Sequence, residues 1–266
     1  MSESDLTFTG ERLHAEDALF GIDLLRHRAA YQEAIRRVQA CGARWILELG
    51  SGTGYGMAEM AEALPNANLV AVDRVAPLAA GRASAATFLR ADLRSLPLEA
   101  KVFDFAISFQ VIEHLEDPKP YLAALADRAA AHAEILISTP NADFSDGENP
   151  FHIHEYTSEE LRETLLPFFE EVEMLGVSAT GDALKYHEDR LARIRRIVRI
   201  DPLGLRRRLP TALVEFLFAW LALIVRRGIG AAESLPRVAL ENFPIEKAHL
   251  KSLDLFAVCR GPKHKR

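Results

Sequence analysis

Trp45-Ile46-Leu47-Glu48-Leu49-Gly50-Ser51-Gly52-Thr53-Gly54-Tyr55-Gly56 is an apolar run that ends in an acid and then alternates glycines. It predicts a buried strand breaking into a turn that lets main chain approach a ligand, because side chains at those positions would block both access and positive φ. The spacing excludes two common nucleotide sites. A dinucleotide fingerprint needs G-x-G-x-x-G, but Tyr55 stands three residues after Gly52 and Met57 three after Gly54; a P-loop needs Gly-Lys-Ser/Thr. Glu48 argues against a pyrophosphate here, since a carboxylate repels phosphates and suits an ammonium or sulfonium. Glu48, Gly50, Ser51, Gly52 and Gly54 are therefore the first candidate ligand contacts.

Working outward, residues 19 to 40 read as a helix with Leu24, Ala30, Ile35 and Val38 available for burial, ended by Gly42. Met57 to Leu64 reads as a helix closed by Pro65-Asn66, and Asn68 to Val72 as a strand ending in Asp73. Strand signals recur at Thr87 to Arg90, Phe103 to Ser108 and Glu134 to Ser138, with a helix from Pro120 to Ala131. Such alternation predicts an α/β fold: a parallel sheet with helices on both faces and ligands at the carboxyl ends of the strands. Thr157-Ser158-Glu159-Glu160 fits a capping box opening a helix to about Leu166. Strands are expected near Val172 to Val177 and at Leu253 to Cys259, separated by an insertion far longer than a hairpin.

That insertion is the chain's unusual part. Leu184, Leu191, Ile194 and Val198 share one helical face, and nine Lys or Arg stand between Lys185 and Arg208 against three acids. Arg206-Arg207-Arg208 precedes an apolar run from Leu209 to Val225, which contains Glu215 and is short of the ~20 apolar residues of a spanning helix. A cationic arm beside an apolar run implies an anionic partner. Candidates are a phosphate-bearing acceptor or, through 205–228 and its Phe216, Phe218 and Trp220, the face of an inner membrane. A helical lid or a homodimer contact is the competing reading. The four regions expected are 1–40 (helical lid), 41–178 (ligand-binding core), 179–250 (helical insertion) and 251–266 (last strand and basic tail).

The whole chain has 266 residues and a formal charge of −6, which fits one α/β domain with an insertion and gives no general footprint for nucleic acid. Cys41 and Cys259, far apart and without metal spacing, fit a reducing cytoplasm. The acidic start Met1-Ser2-Glu3-Ser4-Asp5 lacks the basic end of a secretory signal, so no export is expected.

Glu48-x-Gly50-x-Gly52-x-Gly54 resembles motif I of the class I S-adenosylmethionine-dependent methyltransferases, and Phe103 to Pro118, with Gln110-Val111-Ile112-Glu113-His114-Leu115, resembles their fourth-strand segment. The resemblance implies a Rossmann-like seven-stranded sheet, its last strand antiparallel beside the sixth, and S-adenosylmethionine as cofactor; it fades across the insertion, whose reading rests on composition alone. Asp73, 19 positions after Gly54 and followed by Arg74, stands where α/β nucleotide sites hold ribose hydroxyls. In the family the acid at Asp92 holds the adenine amino group while Leu93 presents its amide. Gln110 replaces a frequent acid, keeping a polar contact with the cofactor.

Glu113 and His114 then belong to the floor of the site, and His114 is the candidate base, because histidine accepts a proton near neutrality; capping and packing of the next turn is the alternative. Asn149-Pro150-Phe151-His152-Ile153-His154-Glu155-Tyr156 is similar to a string in bacterial methyltransferases of glycan or nucleotide-sugar modification. His152 and His154, at i and i+2 of an extended segment, would point the same way toward substrate; a metal would need further ligands that the sequence does not assign, so none is expected. Thr9-Gly10-Glu11-Arg12 resembles the same enzymes, and His27, Arg28 and Tyr31 are candidates to cover the cofactor. The function implied is O-methylation of a small molecule, sugar or lipid-linked glycan. Rival readings are an NAD(P)-dependent nucleotide-sugar enzyme and a non-catalytic donor-binding scaffold or membrane-surface protein.

Overall fold

A computed structural model of the chain describes residues 21–77, 84–145, 147, 149, 151–198 and 238–264. The expectations for Thr9-Gly10-Glu11-Arg12 and for 205–228 lie outside them. Among the described residues no helix is long and apolar enough to cross a membrane.

Eight strands form one sheet: β1 (Trp45–Leu49), β2 (Asn68–Asp73), β3 (Thr87–Arg90), β4 (Phe103–Phe109), β5 (Ala129–Pro140), β6 (Phe169–Val177), β7 (Ile245–Lys247) and β8 (Asp254–Pro262). Their order is β3-β2-β1-β4-β5-β8-β6-β7. β1 to β5 pair in parallel, while β8 runs antiparallel between β5 and β6, as the resemblance implies. The sheet has one strand more than the seven expected. β7 pairs antiparallel with the outer edge of β6, inside the stretch read as a helical insertion. Three residues with one apolar side chain carry no readable period, and exposed Glu246 and Lys247 give the edge the charge that discourages further pairing.

Five described helices cover the sheet: α1 (Gly21–Cys41), α2 (Tyr55–Ala63), α3 (Lys119–Arg128), α4 (Ser158–Leu165) and α5 (Gly181–Val198). Alternation along β1 sorts them. Ile46 packs with Ala34, Ile35 and Val38 of α1 and Met57 and Met60 of α2, whereas Leu47 and Leu49 pack with Leu122 and Leu125 of α3 and Leu161 and Leu165 of α4. Gly42, at φ +72°, ends α1 with its N–H on the Val38 carbonyl. The capping box is formed: Glu160 N–H donates to Thr157 Oγ1, and Glu160 Oε2 accepts from Thr157 N–H. One boundary moved. Ala129 and Ala130 were read as helix, yet both are buried in β5, with Ala129 paired to Phe103 of β4; tertiary pairing outweighs alanine's helix preference.

Helix α1 is pinned where α2 begins. A Cβ on Gly56 would lie 1.9 Å from the Tyr31 ring, so only glycine admits Tyr31 to the sheet. Gly56→Ala is expected to expel that ring and to cost roughly 1–3 kcal/mol, read as a lowered thermal midpoint. A melt matching wild type would reject the close approach.

Candidate functional site

The order of strands reverses between β1 and β4, so the carboxyl ends of β1, β2 and β4 open a crevice there. The glycine turn lines it. Gly50 donates its N–H to the Val72 carbonyl at 2.8 Å, and Gly50, Gly52 and Gly54 all take positive φ. A Cβ on Gly50 would stand 2.2 Å from Val111 Cγ2, so the Val111 side chain, in the segment after β4, packs directly on the main chain of the turn. Ser51 is buried within the turn.

Asp73, at the end of β2, is tied into this turn. Its Oδ2 accepts from Gly52 N–H at 2.8 Å and its Oδ1 from Val75 N–H at 2.9 Å. Arg74 is exposed, and its carbonyl accepts from Arg90 Nε. Leu93 packs partly into the core. Asp92 stands open to solvent with its carboxylate forked onto Arg94 (2.6 Å to Nη2). That hydrogen bond holds the Asp92 carboxyl down at about 2. The sequence reading had no place for Arg94, two residues along the same turn.

Glu48 lies beneath the turn and is 1% exposed. Tyr31 O–H donates to its Oε1 at 2.5 Å, while among the described residues its buried Oε2 has no hydrogen-bond partner. Burial pushes the carboxyl up to about 7, opposed by the Tyr31 hydrogen bond and aided by the negative charge of Asp73. Of the proposed cover from α1, Tyr31 reaches the site, whereas Arg28 pairs with Glu59 and burial lowers the His27 imidazole to about 3.

Gln110 takes φ +57° just after β4, donates its N–H to the Ser138 carbonyl at 2.9 Å, and donates its side-chain Nε2 to Ser138 Oγ at 3.4 Å. Asp254, 2% exposed at the start of β8, pairs with Arg26 of α1 at 3.2 Å. Burial raises the Asp254 carboxyl; Arg26 and Gln110 oppose the shift. Sequence reasoning passed over this pair. The available signal was an acid between Leu253 and Leu255 in an otherwise apolar run.

A second cluster sits beside Gln110. Glu113 is wholly buried; its Oε2 accepts from Thr139 Oγ1 at 2.9 Å, and its Oε1 lies 4.0 Å from His114 Nε2. Burial pushes this carboxyl up to about 7, against the pull of His114. His114 Nδ1 is 2.9 Å from the Phe151 carbonyl; a carbonyl can only accept, so Nδ1 carries the hydrogen and Nε2 holds the lone pair of the neutral ring. The rings of His114 and His152 meet edge to face at 5.2 Å. His152 Nδ1 lies 2.6 Å from Glu155 Oε1, and its Nε2 accepts from Asn149 Nδ2 at 2.8 Å.

The expectation that His152 and His154 point the same way does not hold. Both Ile153 N–H and His154 N–H donate to the Glu113 carbonyl, whereas successive amides of a pleated strand point oppositely. His152 therefore joins Glu113 and His114, while His154 is exposed and packs its ring on Tyr156 at 4.5 Å.

Residues 47–131 match the family model described as a methyltransferase domain. A Mycobacterium tuberculosis protein named a probable S-adenosylmethionine-dependent methyltransferase is 34% identical over 185 residues, covering 66% of this chain and 66% of its own length. A Mycolicibacterium smegmatis protein of the same description is 35% identical over 185 residues, covering 65% of this chain and 69% of its own. The crystal structure of a SAM-dependent methyltransferase from Thermotoga maritima superposes with a TM-score of 0.53 at 16% identity, covering 89% of this chain and 91% of that one.

Proposed function

Because this chain belongs to the class I S-adenosylmethionine-dependent methyltransferases, we propose that it methylates an oxygen of a small-molecule, sugar or lipid-linked glycan acceptor held over the carboxyl ends of β4 and β5. The donor supplies a methyl group on a positively charged sulfur. The crevice residues fit such a molecule: Gly52, at φ +53° with nothing within 4 Å of where a Cβ would stand, leaves main chain open to it, and Glu48 Oε2, without a partner among the described residues, suits a cation. Gly50, Ser51, Gly52 and Gly54 would hold it with Glu48, Asp73 the ribose, Asp92 and Leu93 the adenine, and Gln110 the side toward the acceptor; Arg74, facing solvent, contributes at most its main chain.

The observation that carries the acceptor assignment is the Glu113, His114 and His152 cluster one turn beyond β4. With Nδ1 held by the Phe151 carbonyl, His114 Nε2, 4.0 Å from Glu113 Oε1, is the atom that can take a proton from an acceptor hydroxyl. His152, fixed by Glu155 and Asn149, orients the acceptor; His154, turned to Tyr156, fits a rim contact. Alignment supplies most of the rate. The cationic arm beginning at Lys185 supports an anionic acceptor such as a nucleotide sugar. A homodimer or contact with lipid through 205–228 remains part of the proposal on sequence grounds alone.

Two measurements test the reading. Labelled donor incubated with native-cell extract should transfer label to a hydroxyl-bearing metabolite or glycan; label found only on amines would overturn O-methylation. Asp73→Ala is expected to weaken donor binding by about 10–100-fold, as befits loss of hydrogen bonds to a charged group. Because Asp73 also anchors Gly52 and Val75, its thermal midpoint should fall too. Unchanged calorimetric affinity would reject the ribose role.

A further inference from the structure

We propose that Glu113, His114 and His152 bind one divalent transition-metal cation. A carboxylate oxygen of Glu113 and one ring nitrogen of each histidine all lie within 4.8 Å of one another. Bonds of about 2.0–2.2 Å would draw these donors inward by roughly 1 Å, a shift within reach of side-chain torsions. Three residues from two distant parts of the chain converge here, because the Ile153 and His154 amides fasten the second segment to the Glu113 carbonyl.

An independent observation points to a ligand. Glu113 is 0% exposed, and its Oε1, the oxygen facing His114 Nε2, has no hydrogen-bond partner among the described residues. A buried, partnerless carboxylate oxygen is unfavourable, and a cation there would satisfy it. The second oxygen is already held by Thr139, which leaves Glu113 a single-oxygen ligand.

The histidines are oriented as metal-binding imidazoles are. The distal nitrogen of His114 meets the Phe151 carbonyl, and that of His152 meets the Glu155 carboxylate; each partner fixes the tautomer that leaves Nε2 as donor. Binding exchanges one contact, because Asn149 Nδ2 now donates to His152 Nε2 and would turn aside while Asn149 Oδ1 keeps the Phe151 N–H. A set of two imidazoles and one carboxylate suits Mn²⁺, Fe²⁺, Co²⁺ or Zn²⁺ over Mg²⁺ and Ca²⁺, which favour all-oxygen shells. Three protein ligands leave positions open for another oxygen.

The role of the cation, unlike its binding, rests on the methyltransferase reading above. With Nε2 of His114 committed to the metal, an acceptor hydroxyl in the open position would lose its proton to solvent, because the cation lowers its pKa. The new O–CH₃ bond forms as the CH₃–S bond breaks, and the donor leaves as a neutral thioether.

The test uses the full chain, stripped with chelator and titrated with Co²⁺, Zn²⁺ and Mg²⁺ by calorimetry, with the visible absorption of Co²⁺ as a second readout. One Co²⁺ per chain is expected, with Mg²⁺ at least tenfold weaker. His114→Ala and His152→Ala should each lose at least about tenfold in Co²⁺ affinity, with the absorption bands altered, while His154→Ala keeps both. Glu113→Gln should behave like the histidine variants; should it not fold, the two histidine variants decide. No stoichiometric Co²⁺ binding, or binding that survives both histidine variants, overturns the site. S-adenosylmethionine titrated into the same metal-free protein reports the donor site separately, so loss of one reading leaves the other measurable.

Discussion

Glu48→Gln is expected to weaken S-adenosylmethionine binding by about 10–100-fold at pH 8, the worth of a buried hydrogen bond or contact to a charged group, and by only a few-fold at about pH 6. The free carboxyl, pushed up to about 7 by burial, is mostly neutral at the lower pH and resembles the amide; above 7 it is an anion that a cationic ligand can meet. Wild-type affinity should therefore rise with pH through 7, and the variant's should stay flat. The same substitution is expected to stabilise the protein without ligand. A carboxyl whose folded pKa is raised above its unfolded value contributes stability that is full below about 4.5 and lost as pH climbs through about 7. Above 7 the buried charge costs on the order of 3 kcal/mol, and glutamine avoids that cost while still accepting from Tyr31 O–H. A higher thermal midpoint at pH 8 with unchanged melting near pH 4 is the expected pair of results. S-adenosylhomocysteine, which keeps the ammonium but lacks the sulfonium, locates the contact: an equal pH dependence assigns Glu48 to the ammonium. Equal affinities of wild type and variant at pH 8 would reject the role altogether.

The residues legible in the sequence were those whose reason for being there is local. The Glu48 to Gly56 turn announces itself because a strand, a buried acid and closely spaced glycines stand within twelve positions, and the Thr157 cap because its two partners are three residues apart. Asp254 and Arg26 are a pair separated by most of the chain, and neither neighbourhood hints at the other. Glu113 and His114 were visible, but the grouping with His152 depends on main-chain bonds from Ile153 and His154 that no spacing rule contains. Those same bonds removed the strand-like alternation that had aligned His154 with His152. The Asp92–Arg94 fork was missed for a nearer reason: its partners are only two residues apart, and a short turn with no helical or strand period brings the guanidinium onto the carboxylate. The edge strand β7 was lost because sheet pairing, not its own three residues, defines it.

Gly50→Ala is the single substitution expected to do most damage to donor binding while leaving every charged group in place. Two penalties coincide. At φ +84° an L-residue occupies left-handed backbone, which costs roughly 1–2 kcal/mol. The added Cβ would also stand 2.2 Å from Val111 Cγ2, and valine's branched Cβ leaves it few rotamers through which to retreat. The strain can relax only by separating the turn after β1 from the segment after β4, and these are the two walls of the crevice. If about 3 kcal/mol of distortion must be reversed each time the donor binds, affinity falls by roughly 100-fold or more. The melting midpoint should fall as well. Adding Val111→Ala to the variant removes the collision but not the backbone strain, so the double variant is expected to recover part of the midpoint and part of the affinity. A Gly50→Ala protein that melts and binds like wild type would mean that the turn does not approach Val111 as closely as the fold requires.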